Sequence, residues 1–256
     1  MVAALREHWP EYLIEAFALG LFMVSACAFS ALLWHPNSPA AAAIPDGLPR
    51  RFLMGLAMGG TAIGLIYSPW GQRSGAHMNP AFTFTFFRLG HVKPWDALFY
   101  TTAQVVGGLL GVVLSAWALG GALDHPSVHF AVTAPGGSLA LAFLAEVAMT
   151  FALMSMVLNV TAGPLTKATG LFAGLMVCAY ITLEAPISGM SLNPARSLAS
   201  ALPAGDFRAL WLYFSAPPLG MLLAAEFHLW RRRPMACAKY DHENRQRCIF
   251  CEKPAG

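Results

Sequence analysis

The tripeptide Asn-Pro-Ala occurs twice in this chain, within SGAHMNPA (Ser74–Ala81) and SGMSLNPA (Ser188–Ala195). Asn is a favoured helix N-cap, and Pro fits the first helical turn, where its missing N–H would be unpaired anyway. Each box therefore reads as a helix start, and Gly75 and Gly189 let the approaching backbone turn its carbonyls outward. The chemistry on offer is hydrogen bonding to a neutral guest. The amides of Asn79 and Asn193 donate, and carbonyls around Gly75–Met78 and Gly189–Ser191 accept. A single copy would read as a capped turn. Two copies, each behind Ser-Gly and ahead of a short helix, mark a duplicated site.

Other residues carry chemistry of their own. Arg196 lies in an apolar stretch, where a cation is costly and marks a pathway or an ion pair. Glu15 and Glu146 fall inside apolar runs and must be paired, protonated or hydrogen-bonded, as braces or as a proton relay. His77, beside the first box, either positions a carbonyl or titrates near its ordinary pKa of ~6.5 as a gate. Further on, CAKYDHENRQRCIFC carries Cys237, His242, Cys248 and Cys251. Structural zinc takes four such ligands, so this segment is either a metal or redox site, or a reduced, flexible tail. At that distance from the spans it is expected to be regulatory at most, with no part in a pore.

Hydrophobic residues make up 57% of the 256 and charged ones 11%, against roughly 25% charged in soluble domains. So few charges cannot cover a soluble protein, which implies a polytopic membrane protein. The net charge of +3 is split among loops; it bears on orientation in a bilayer and not on nucleic acid. Five cysteines divided between apolar runs and tail give no disulfide framework. No nucleophile–base set appears, so an enzyme is not expected. Glu11 and Glu15 sit where a signal peptide would want a basic end and a clean apolar core, which predicts an uncleaved first span.

The elements that must position these groups follow from length. Six apolar segments, at about 11–34, 52–68, 95–119, 138–160, 168–185 and 208–230, suit a ~30 Å hydrocarbon core at ~1.5 Å per residue. The short elements after Asn79 and Asn193 reach about half of it, ~15 Å for ten residues, so two entering from opposite sides would span it together. The opening Tyr12-Leu-Ile-Glu15-Ala-Phe is echoed by Phe143-Leu-Ala-Glu146-Val-Ala. Three spans plus a half-helix, repeated, give the second copy inverted topology and put the site at the midplane. Two helix N-termini meeting there, each worth about half a positive charge, would repel cations. The expected fold is an all-α membrane protein with six transmembrane helices and two re-entrant half-helices. Residues 1–233 form the channel domain, with repeats at about 8–120 and 136–232, and 234–256 a cytoplasmic tail. Arg6, Arg73, Arg88, Lys93, Lys167 and Arg231-Arg232-Arg233 mark one side as cytoplasmic, with both termini there; Arg50 and Arg51 fall opposite.

On both boxes, both glutamates and the Arg after the second box, residues 8–232 resemble the aquaporin, or major intrinsic protein, family. The resemblance implies a homotetramer with one pore per subunit, passing water or small uncharged solutes passively through a lipid bilayer, with no cofactor required. It implies that Glu15 and Glu146 hold the re-entrant loops from behind. It also implies that Arg196 belongs to a narrow filter completed by Met190, Ile181 and Met58. Here the chain departs from the pattern, since strict water channels usually have His and an aromatic where it has Ile181 and Met58. Other markers favour water: Ser197 stands where glycerol facilitators have Asp, and Tyr213-Phe214 where they have Pro and an aliphatic.

The leading expectation is thus a water channel that also admits small neutral solutes and excludes protons and ions. The alternatives are a glycerol or other neutral-solute facilitator with little water flux, and a non-conducting or tail-gated membrane structural protein. A coupled transporter would need an ionisable coupling site in the pathway. Zinc at Cys237, His242, Cys248 and Cys251 remains the one metal expectation. The short loops suggest a bacterial inner membrane.

Overall fold

A computed structural model describes residues 1–233, 237–240 and 247–252; His242 lies outside them. The long helices are α1 (Val2–Trp34), α2 (Leu48–Tyr67), α4 (Pro94–Leu119), α5 (Leu139–Thr161), α6 (Thr169–Leu183) and α8 (Leu210–Trp230). The half-helices are α3 (Pro80–Arg88) and α7 (Pro194–Ala204). No strand occurs among the described residues.

Among the described residues, five helices are long and apolar enough to cross a membrane: α1, α4, α5, α8, and α6 counted with its preceding turn from Thr166. Helix α2 is the less apolar one, carrying Arg50-Arg51 in its first turns and four glycines beyond. At 20 residues it still reaches ~30 Å. Its arginines are absorbed locally: Arg50 donates to the carbonyls of Ile44 and Ala41, and Arg51 to that of Thr182.

Packing repeats the sequence symmetry. The heaviest interfaces are α1 with α4, its counterpart α5 with α8, and α2 with α6 across the pseudo-twofold. Each half-helix packs on the other repeat, α3 on α8 and α7 on α4, and the two also touch each other. Glycine permits close approach between α2 and α6: a Cβ at Gly59 would stand 2.4 Å from the Gly174 carbonyl oxygen, and one at Gly174 2.6 Å from that of Gly59. Outward, Leu144, Leu183, Trp117 and Trp230 are among many large apolar side chains left exposed, the surface a protein presents to lipid.

Helix α1 begins at Val2, about nine residues before the apolar run. Its polar extension is tied to α4 by His8 Nδ1 and the Tyr12 hydroxyl, at 2.9 and 2.5 Å from Asp96 Oδ1.

Candidate functional site

The two loops before the half-helices are built alike. Short helical turns, Pro69–Ser74 and Ala185–Ser188, lead into Gly75 (φ +92°) and Gly189 (φ +79°). Gly189 has no room for a side chain as well, since a Cβ there would meet Ala134 N at 2.6 Å. Ala76 and Met78 then adopt positive φ, and so do Met190 and Leu192 at the matching offsets. Such conformations cost free energy in non-glycine residues and persist only where the surroundings impose them.

Buried carboxylates do the imposing. Glu15 accepts from Ser74 Oγ (2.7 Å), His77 N (3.0 Å), Met78 N (2.6 Å) and Gln104 Nε2 (2.8 Å). Glu146 accepts from Ser188 Oγ (2.8 Å), Ser191 N (2.7 Å) and Leu192 N (2.8 Å). Tyrosines complete the bracing from α4 and α8: Tyr100 donates to the Ser74 carbonyl at 2.8 Å, and Tyr213 to that of Ser188.

Each box caps its helix as the sequence predicts. Asn79 Oδ1 accepts from Ala81 N at 2.9 Å, and Asn193 Oδ1 from Ala195 N and Arg196 N at 3.0 and 3.2 Å. The amides also cross between repeats, Asn79 Nδ2 donating to the Leu192 carbonyl and Asn193 Nδ2 to that of Met78, both at 2.7 Å. One of the two amide hydrogens on each is thereby committed, leaving the second for the cavity that both residues line.

That cavity, about 600 Å³, passes between the repeats from Trp34, Asp46 and Arg51 at one end to Thr161, Thr169 and Gly170 at the other. The structure brings Gly75, His77, Asn79, Gly189, Ser191, Asn193, Arg196, Met190, Ile181 and Met58 onto its wall. Arg196 Nη1 is buried with no hydrogen-bond partner among the described residues. Leu19, Phe22, Ala26 and Val177 add apolar wall. Glu15 and Glu146 are fully buried behind the loops and do not line the cavity.

The tail departs from expectation. Expected to lie apart from the pore, it supplies Cys237, Ala238, Lys239 and Tyr240 to the lining of the cavity, at the end that carries Thr169 and Gly170. His77 Nε2 lies 2.9 Å from the Ala238 carbonyl, and its Nδ1 3.1 Å from Thr83 Oγ1. The Phe250 ring stacks on His77 at 5.1 Å with planes 3° apart. Tyr240 donates to the Ile66 carbonyl and Lys93 pairs with Glu252 at 2.7 Å. Polar composition hid this packing, which among the described residues is made by two short pieces, 237–240 and 247–252.

Cys237, Cys248 and Cys251 place their sulfur atoms within 4.8 Å of one another, and those of Cys237 and Cys248 are 3.7 Å apart. The Cys237 and Cys248 thiols pair with each other, and Cys248 also accepts backbone hydrogen bonds from Cys251 and Phe250. Together these hold the Cys248 thiol below the ordinary range, while the same pairing and burial push Cys237 up.

Sequence reasoning did not name Tyr100 or Gln104, nor the strut role of Tyr213. The signal was available for the tyrosines, which recur at matching places late in each repeat. Gln104 has Pro217 as its counterpart and no second copy to flag it.

Fold and site together define a helical membrane protein of inverted repeats, with a polar midplane inside an otherwise apolar passage. The chain belongs to the major intrinsic protein family, which matches residues 3–228. It is 38% identical over 178 residues to aquaporin NIP3-1 of Zea mays, covering 67% of this chain and 57% of that one. Against aquaporin NIP6-1 of Arabidopsis thaliana it is 38% identical over 174 residues, covering 66% and 54%. Aquaporin NIP2-1 of Oryza sativa subsp. japonica is 33% identical over 229 residues, 87% of this chain and 72% of the relative. The chain thus spans little more than half the length of the first two. Among solved structures it resembles the aquaglyceroporin of Plasmodium falciparum with a TM-score of 0.72 at 18% identity, covering 87% of this chain and 96% of that one.

Proposed function

We propose that this protein is a passive transmembrane channel for water that also admits small uncharged solutes and excludes protons and ions. The observation that carries the reading is the meeting of α3 and α7, with Asn79 and Asn193 cross-linked to each other's loops and facing one cavity. Two helix N-termini directed at one place repel cations, while amide donors and backbone acceptors replace part of a neutral guest's hydration. In this reading Arg196, Met190, Ile181 and Met58 form the narrow filter, and Arg196 Nη1 is the donor that a polar guest meets there. Glu15 and Glu146 are braces, not a proton relay: Ser74, His77 and Met78 of one loop donate to the first, Ser188, Ser191 and Leu192 of the other to the second, and Gln104 adds a fourth bond to Glu15.

The apolar filter favours a second reading, a neutral-solute facilitator with little water flux. The relatives' names speak for water, and that of the Plasmodium protein for glycerol as well. Assembly as a homotetramer with one pore per subunit fits the family and the exposed apolar flanks. Short loops fit a bacterial inner membrane with both termini cytoplasmic, although the relatives named above are plant proteins.

Stopped-flow light scattering on proteoliposomes tests this. Under an impermeant-sugar gradient the vesicles should shrink several-fold faster than empty ones. A following glycerol gradient should give slower re-swelling. Re-swelling with no accelerated shrinkage would establish the facilitator instead, and neither response, in folded wild type or in Phe250→Ala, would refute the channel.

A further inference from the structure

The tail is gripped twice at one residue. His77, next to the first Asn-Pro-Ala box, holds the Ala238 carbonyl with its edge and the Phe250 ring with its face. Even Gly75 is shaped by this contact, since a Cβ there would come within 3.1 Å of Phe250 Cε2. The two pieces of tail that make these contacts are separate in sequence. What joins them is sulfur: Cys237 adjoins Ala238, while Cys248 and Cys251 flank Phe250.

We propose that Cys237, Cys248 and Cys251 form a binding site for a thiophilic metal ion of the zinc class, and that the bound ion pins the tail across the cytoplasmic mouth of the pore. The geometry suits a metal better than a disulfide. The 3.7 Å between Cys237 and Cys248 sulfurs is close to the ~3.8 Å edge of a tetrahedron with ~2.3 Å zinc–sulfur bonds. A disulfide needs about 2.05 Å and would leave the third thiol out. None of the three is in a disulfide, Cys237 and Cys248 are buried, and a set of three sulfurs selects soft or borderline ions over calcium or magnesium. Binding replaces thiol protons, which pass to solvent, and ties the Ala238 and Phe250 arms into one cap. Cys237 also lines the cavity, so the ion sits at the mouth. With it in place, the Ala238–Tyr240 segment stays over the opening. Without it, the cap rests on a few hydrogen bonds, the Phe250 ring against His77 and Tyr100, the burial of Ala238 and Ile249, and the exposed Lys93–Glu252 pair, which is worth little.

The pinning half of this inference rests on the channel reading; the metal half does not. Full-length protein in detergent should retain one zinc per chain after dialysis, and Cys248→Ser and Cys251→Ser should each lose it while eluting as the same oligomer. Cobalt in place of zinc should give thiolate-to-cobalt absorption in the wild type only. In proteoliposomes, a membrane-permeant zinc chelator should speed osmotic shrinkage of the wild type several-fold. Cys248→Ser should start fast and ignore the chelator. Failure to hold zinc, or retention by both variants, would overturn the site. Zinc bound, with shrinkage unchanged by chelator while Phe250→Ala is faster, would overturn the pinning. If no protein, Phe250→Ala included, conducts water, the channel reading and the pinning fall together, and metal content still judges the site.

Discussion

The first and second Asn-Pro-Ala loops share a frame and differ in what they show the cavity. Residues at a common offset make the same contacts: Ser74 and Ser188 to a buried glutamate, His77 N and Ser191 N to the same one, and each Asn to the opposite loop. Even the bond from loop to half-helix recurs, His77 to Thr83 in one and Ser191 to Ser197 in the other. The side chains lining the pore diverge. Where the second loop has Ser191 and Arg196, the first has His77 and Phe82, both facing the cavity. The duplicated part is the scaffold that aims two helix ends at one point. The unduplicated part puts a cation toward one mouth and an aromatic seat, occupied by the tail, toward the other.

Removing the brace should break the frame itself and give the largest effect. Glu15→Ala removes the acceptor of four donors and Glu146→Ala that of three, of which Ser188 Oγ keeps Glu184 Oε2. At ~1–3 kcal/mol for each buried group left unsatisfied, both variants should lose several kcal/mol. Glu15→Ala should lose more, because Gln104 has no counterpart. Thermal unfolding in detergent reads the order, and equal losses would mean that Gln104 contributes nothing.

Arg196→Ala should leave the frame standing and erase the asymmetry. Its unfolding temperature should stay near the wild type's, while glycerol permeability relative to water rises several-fold in the same vesicles. A collapse of folding would mark Arg196 as a structural partner instead.

The smallest effect concerns the paired loop-to-helix bonds. Thr83→Val and Ser197→Ala should each cost about 1–2 kcal/mol, the range for losing hydrogen bonds in a buried network. The costs should be similar, because each hydroxyl has two partners. Unlike costs would show that one loop leans on this bond more than the other.

The duplicated frame is also what the sequence made readable. Asn79, Asn193, Glu15 and Glu146 announce themselves because each stands in a repeated context of special residues, and the structure sets them as a repeat requires. Tyr100 and Gln104 did not, since one aromatic or amide in an apolar helix looks like core until its partner is known, and their partners lie 26 and 89 residues away. The start of α1 was missed for a related reason. Hydropathy reports the bilayer, whereas the helix continues past it wherever a contact such as Tyr12 with Asp96 holds the extension. The tail was least legible, because its placement depends on contacts with distant residues, above all His77, Tyr100, Ile66 and Lys93.

The central claim is that two helix N-termini meeting at Asn79 and Asn193 pass neutral molecules and turn back cations. Its most direct test loads proteoliposomes of wild type and Phe250→Ala with a pH-sensitive dye, then imposes a sugar gradient and, separately, a pH step. The account predicts shrinkage faster than in protein-free vesicles, with proton leak no greater than theirs. Proton leak rising with water flux, or no accelerated shrinkage in either protein, would contradict it.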